Sequence, residues 1–186
     1  LVSSPIVLTK AVSIVGPGQY TSGIIAINCD AIQANEGVSN VRIQGVDIAA
    51  SVRYSVTPNG YIGLRINGST GSRPSNWVLR DVLFDGFVVP VWSTYLWASV
   101  FDNFRTIYGR DGLRAWGLSV NNFVVNSSIA GTNVAGSKGI ALGDGTTPTE
   151  GWIIANSLIY GFKTGVYGAA ASDVTIANNI LDFCYE

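Results

Sequence analysis

Ile154-Ala155-Asn156-Ser157-Leu158-Ile159 and Ile176-Ala177-Asn178-Asn179-Ile180-Leu181 are two copies of one phrase, 22 residues apart. Each is a short apolar run broken by Asn. Earlier copies read Leu79-Arg80-Asp81-Val82, Phe101-Asp102-Asn103-Phe104 and Val120-Asn121-Asn122-Phe123, and Ile43-Gln44-Gly45-Val46 opens the series with Gly in the Asn place. A second phrase alternates with the first, a Gly or Pro followed by alternating residues. It reads Gly23-Ile24-Ile25-Ala26, Gly63-Leu64-Arg65-Ile66, Pro90-Val91-Trp92, Gly112-Leu113-Arg114-Ala115, Gly139-Ile140-Ala141-Leu142 and Gly165-Val166-Tyr167. Two signals that keep register along the chain mark an internal repeat. Short strands joined by polar corners, repeating at about 22 residues, are the unit of a parallel β-solenoid.

The composition agrees. Of 186 residues, 47% are hydrophobic, ample for the core of one domain spanning 1–186. Only 12% are charged, which fits neither an ordinary helical domain nor a disordered chain. The 22 Gly and 6 Pro punctuate short runs rich in Val and Ile. A net charge of −1 leaves no basic footprint for nucleic acid. His is absent, which removes Ser-His and Cys-His relays and the commonest zinc ligand. No metal site and no cofactor is expected. No apolar stretch approaches the roughly 20 residues of a membrane span, and no leader pattern opens the chain, so no membrane partner is expected. Met is absent and the start is Leu1-Val2-Ser3-Ser4, so a fragment or processed part of a longer chain is expected. The last coil closes near Tyr185-Glu186 without a capping helix or edge charges, so more sequence or another chain is expected to cover it. Cys29 and Cys184, near opposite ends, read as two small buried thiols rather than a disulfide.

Stacked coils lie about 4.8 Å apart, so equivalent residues form columns. The repeat predicts roughly six or seven coils, with Asp81, Asn103, Asn122, Asn156 and Asn178 in one corner column. There the side-chain amides satisfy backbone groups of a turn and of the next coil. The Gly-, Ser-, Thr- and Pro-rich stretches 49–62, 68–76 and 143–151 read as loops leaving the stack.

On these phrases, and on the opening Ser4-Pro5-Ile6-Val7-Leu8 and Val12-Ser13-Ile14-Val15-Gly16-Pro17-Gly18, the sequence resembles the pectate-lyase-like superfamily. It is most similar there to bacteriophage tailspike depolymerases. The resemblance implies an all-β, right-handed, single-stranded parallel β-helix. It also implies a homotrimer that binds and depolymerises bacterial surface polysaccharide, capsule or O-antigen, in a virion or outside the cell. Catalytic positions vary within that superfamily, so the resemblance assigns none here.

The strand register itself points to a surface. In the Gly-led strands the first and third residues after the Gly face inward and the second faces out. The outward column reads Arg65, Trp92, Arg114, Ala141 and Tyr167, with Asn67, Thr94, Trp116 and Gly143 two positions on. Indole faces stack on sugar rings and Arg binds carboxylates in a bidentate fashion. Eight Arg against three Lys favour planar recognition. Arg65, Trp92, Arg114, Trp116 and Tyr167 are therefore the expected substrate-binding residues. An interface between copies of the chain is the alternative use of such a face.

Glycoside hydrolysis needs two carboxylates, about 5–5.5 Å apart for retention or about 6.5–9.5 Å for inversion. Asp111 precedes the Arg114/Trp116 strand, and Asp144 and Glu150 bracket the loop one coil later. These three are the expected catalytic acids. Asp81 reads as a structural corner residue, and Asp47, Asp85 and Asp182 as solvated turn residues. Asp102 precedes the ladder Asn103. β-Elimination competes with hydrolysis. Without His, its base would be Arg, Lys or Tyr, for which Arg65, Arg114, Tyr167 and Lys163 offer the parts. A glycan-binding module without turnover, a structural solenoid and a secreted bacterial lyase remain open on sequence alone.

Overall fold

A computed structural model describes residues 1–55 and 57–184, so the expected end at Tyr185-Glu186 lies outside the described residues. Every strand pairing in it is parallel, and the described residues contain no helix. One sheet stacks seven strands: Ile6–Leu8, Ile32–Ala34, Ile62–Ile66, Val89–Thr94, Leu113–Trp116, Lys138–Leu142 and Thr164–Gly168. Each belongs to one coil, which gives a parallel β-solenoid of about seven turns. The second sheet has eleven strands, built around the long strands Arg42–Ala50, Val78–Asp85 and Val100–Gly109. In later coils the same path divides, as in Phe123–Val125 and Ser128–Gly131, or Ile153–Ala155 and Leu158–Tyr160.

A column of left-handed residues bends this second sheet at its middle. Gly45, Asp81, Asn103, Asn126, Asn156 and Asn178 stand in register with φ between 48° and 64°. Asn and Asp tolerate that region because their short side chains hydrogen-bond locally, as when Asn103 Nδ2 donates to Asp81 Oδ1 at 2.8 Å. Four of the five residues expected in one corner are there. Asn122 is not; Asn126 takes its place. A second left-handed column reads Asn40, Asn76, Ala98, Asn121, Gly151 and Asp173. Asn122 follows that second corner, fully buried, where its Oδ1 accepts from Ser99 N–H at 3.0 Å and its Nδ2 donates to the Leu96 carbonyl at 2.9 Å.

The Gly-led phrase needs one correction as well. Gly23–Ala26 pairs with the Arg42–Ala50 strand of the second sheet, Gly23 opposite Asp47. Its expected place in the seven-stranded sheet is filled by Ile32–Ala34, led by Ala31 rather than Gly. The other five copies align as read. At Gly112 any Cβ would press on the Gly139 carbonyl and Ile129, so this position must stay bare, whereas one coil earlier Pro90 holds the same place.

Inward columns make the core. Leu64, Val91, Leu113 and Ile140 line one wall, and Ile43, Leu79, Phe101, Val124 and Ile154 the other, all buried. Trp77 and Trp152 close it on the third side, with Nε1 donating to the Val38 carbonyl at 2.8 Å and the Ser119 carbonyl at 3.1 Å. Buried hydroxyls and amides stitch the coils where strands break. Phe104 N–H donates to Ser127 Oγ, Ser127 N–H to Ser157 Oγ, and Ser157 N–H to Asn179 Oδ1, at 2.9–3.2 Å. Satisfying these backbone groups is what lets a corner be buried at all. The 143–151 excursion contains a short strand, Thr149–Glu150, paired with Ala171–Ser172 on the third side. Cys29 and Cys184 are free and half-buried.

Candidate functional site

The outer face of the seven-stranded sheet carries the expected column in register: Arg65 beside Trp92, Trp92 beside Arg114, Arg114 beside Ala141, and Ala141 beside Tyr167. Trp116 stands next to Thr94, two positions along. These side chains pack on one another. The Arg65 and Arg114 guanidinium carbons lie 5.2 and 5.5 Å from the Trp92 ring centre, and the Trp92 and Trp116 rings meet edge to face at 4.8 Å. Cations over indole faces are held by the ring quadrupole, so this stripe is ordered before any ligand arrives. Trp92 Nε1 is enclosed there without a hydrogen-bond partner.

Two carboxylates set the guanidinium groups. Asp30 Oδ1 accepts from Ile62 N–H at 2.7 Å while its Oδ2 takes Arg65 Nε and Nη2 at 3.0 Å. Asp111 stands at the matching position, two residues before inward Leu113, but holds the Arg of its own coil rather than that of the next. Its Oδ1 accepts from Lys138 N–H at 2.9 Å, and its Oδ2 takes Arg114 Nε at 2.7 Å and Nη2. Asp111 is 1% exposed, with both oxygens engaged. It therefore positions Arg114 and is itself closed off from the outer face.

At the C-terminal half of the stripe the face deepens into a cleft of about 320 Å³, lined by Arg110, Arg114, Trp116, Lys138, Asp144 and Tyr167 among others. Lys138 Nζ lies 3.7 Å from the centre of the Tyr167 ring. Asp144 is exposed at the rim. Its Oδ1 accepts from Thr147 N–H, Thr146 N–H and Thr146 Oγ1, each at 2.8 Å, and these bonds hold the carboxyl down at about 2. It is an anion at neutral pH and cannot serve as a general acid there.

The structure thus gathers Arg114, Trp116, Tyr167 and Asp144 around one cleft, with Asp111 beneath it. Arg65 and Trp92 lie on the same face toward the N-terminal coils. Glu150 is elsewhere: it sits on the short third sheet, bridged to Val120 and Ser172, and does not line the cleft. Lys163 does not line it either. Arg110 and Lys138 do, and the sequence reading missed both. Alternation counted back from inward Ile140 would turn residue 138 inward, whereas its ammonium reaches the outer face.

No family model matches the chain, and no curated protein matches it. Among solved structures, the A-module of a mannuronan C-5 epimerase from Azotobacter vinelandii is similar, with a TM-score of 0.57 and 16% identity. The match covers 94% of this chain and 62% of that one, so this chain spans less than two thirds of its neighbour's length. At that identity the likeness concerns the fold alone, and it agrees with the coil stacking: the chain is a parallel β-helix.

Proposed function

We propose that the protein binds an acidic polysaccharide along the outer face of its seven-stranded sheet and cleaves it by elimination. The observation that carries this reading is the convergence of Arg110, Arg114 and Lys138 with Trp116 and Tyr167 in one cleft. Cations beside aromatic faces suit a sugar ring bearing a carboxylate. Hydrolysis finds less support. It requires two carboxylates across the scissile bond, and only Asp144 lines the cleft with Asp111 buried and Glu150 outside. In the elimination, a base removes the proton α to the uronate carboxylate, a carbon–carbon double bond forms, and the neighbouring glycosidic C–O bond breaks as its oxygen takes a proton. Arg110 and Arg114 neutralise the carboxylate, which acidifies that proton, and Tyr167 and Lys138 are the proton-transferring pair. The similar epimerase is named for action at C-5 of mannuronan, a uronate polymer, which supports a polysaccharide substrate. The natural substrate in this reading is a bacterial capsule or O-antigen, met by a trimeric tailspike-type protein in a virion or outside the cell.

Incubation of the purified protein with acidic bacterial exopolysaccharides tests this. Ultraviolet-absorbing unsaturated ends are expected, and Tyr167→Phe should lower their rate by about 10²-fold or more while glycan binding persists. Reducing ends without unsaturation would mean hydrolysis. Binding without either product would assign a glycan-binding module.

A further inference from the structure

A second polar constellation lies on the other large sheet, away from the cleft. Asp47 points outward from the Arg42–Ala50 strand, between inward Val46 and Ile48. The column beside it continues through Leu83 to Arg105 on the next two coils. The connection 16–22 forms a strap across this column. Gly16 N–H and Gly18 N–H donate to the Gln44 and Gly45 carbonyls at 2.9 and 3.0 Å. Its tip then reaches over two coils: Tyr20 N–H donates to Asp47 Oδ2 at 3.0 Å, Arg105 Nη1 to Tyr20 Oη at 3.1 Å, and Gln19 Nε2 to the Asn103 carbonyl at 3.4 Å.

Three features set the strap apart from an ordinary loop. Tyr20 holds φ at 69°, a costly conformation for an aromatic residue. Leu83 faces outward by register yet is only 4% exposed, as a covered residue would be. Asp47 Oδ1 and Ser22 Oγ are both enclosed without a hydrogen-bond partner, beside a cleft of about 340 Å³ lined by residues 20–25, Asp47 and Ala49. A strained strap is thus tied down at a carboxyl group whose second oxygen has nothing to bond.

We propose that Asp47 is a pH-sensitive latch: neutral, it keeps the strap closed over Leu83, and ionised, it releases Tyr20 and bares Leu83, Arg105 and the cleft. Burial pushes the Asp47 carboxyl above its ordinary value; the Tyr20 N–H bond opposes this, and the Asp85 carboxylate adds to it. The groups facing the latch are Tyr20 from the strap, Asp85 from Val78–Asp85 and Arg105 from Val100–Gly109. Asp85 itself is held by Arg53 through bonds of 2.8–3.1 Å. Because the closed state binds the proton more tightly, its advantage is full at acid pH and is lost as pH rises through the raised value. Each pH unit separating the closed and open carboxyl values changes the closed-to-open ratio about tenfold.

NMR titration of the intact protein tests the latch. The Asp47 carboxyl carbon should titrate above the ordinary aspartate value of about 3.9. The nuclear Overhauser contact between the Tyr20 ring and the Arg105 side chain should fade with the same midpoint as pH rises. Asp47→Asn, neutral at every pH, should keep that contact throughout. An unchanged contact across the wild-type titration, or an Asp47 midpoint at or below the ordinary value, would overturn the latch without help from any variant.

Discussion

Trp152→Ala is expected to destabilise the fold by about 3–5 kcal/mol, close to the largest cost a single side chain carries in this core. Trp152 is fully buried, lies flat against Phe101 at a centroid distance of 6.5 Å, and donates its Nε1 proton to the Ser119 carbonyl. Its removal leaves a cavity between coils and costs the Ser119 carbonyl one of its two hydrogen bonds, the other coming from Glu150 N–H, and neighbouring coils are too regular to collapse into the gap. Against a net stability of about 5–15 kcal/mol for a typical domain, that loss shifts a urea unfolding midpoint far toward water. A loss below about 1 kcal/mol would mean the ring does not fill the third side of the solenoid.

Asp111→Ala should cost about 3 kcal/mol in stability, the lower end for a broken buried ion pair, because the Arg114 side chain keeps 19% of its surface in water. Two groups lose their partner, the Arg114 guanidinium and the Lys138 N–H. Asp30→Ala makes the same deletion in the equivalent unit, where the side chains of Arg65 and Asp30 are 30% and 15% exposed, so the smaller loss is expected there. Both losses are read from urea denaturation. The functional consequences should separate further. Freeing Arg114 disturbs the cleft directly, whereas freeing Arg65 disturbs only the N-terminal extension of the stripe.

The sequence made the outward column legible because Gly63, Gly112 and Gly139 have no room for a side chain where the coils press together, and each, with Gly165, therefore marks the same register position. It misled at Gly23 because a Gly before alternating residues is also what the strand from Gly23 to Ala26 needs to approach Asp47. The corner column failed at one residue for a related reason. Two of the left-handed columns favour Asn, so Asn121-Asn122 and Asn126 are equally good copies by composition, and only the pairing of Val125 with Asp102 decides between them. Site residues were harder to read. Carboxylates near the aromatic strand were visible, but nothing in their spacing says that Asp111 is buried under a guanidinium or that Glu150 belongs to a third sheet. Asp47 was expected to be a solvated turn residue; the strap that encloses it is a tertiary event, invisible to local pattern.

The most direct test of the acidic-glycan cleft compares one polymer in two charge states. An acidic bacterial exopolysaccharide and its carboxyl-reduced, neutral form are titrated calorimetrically into the wild-type protein and into an Arg110→Ala/Lys138→Ala variant. The acidic form should bind, more weakly as salt rises. Carboxyl reduction and the double substitution should each lower affinity about tenfold or more, as expected when a charge-assisted hydrogen bond worth about 1.5–3 kcal/mol is lost. Equal binding of both polymers, or wild-type affinity in the double variant, would contradict the account.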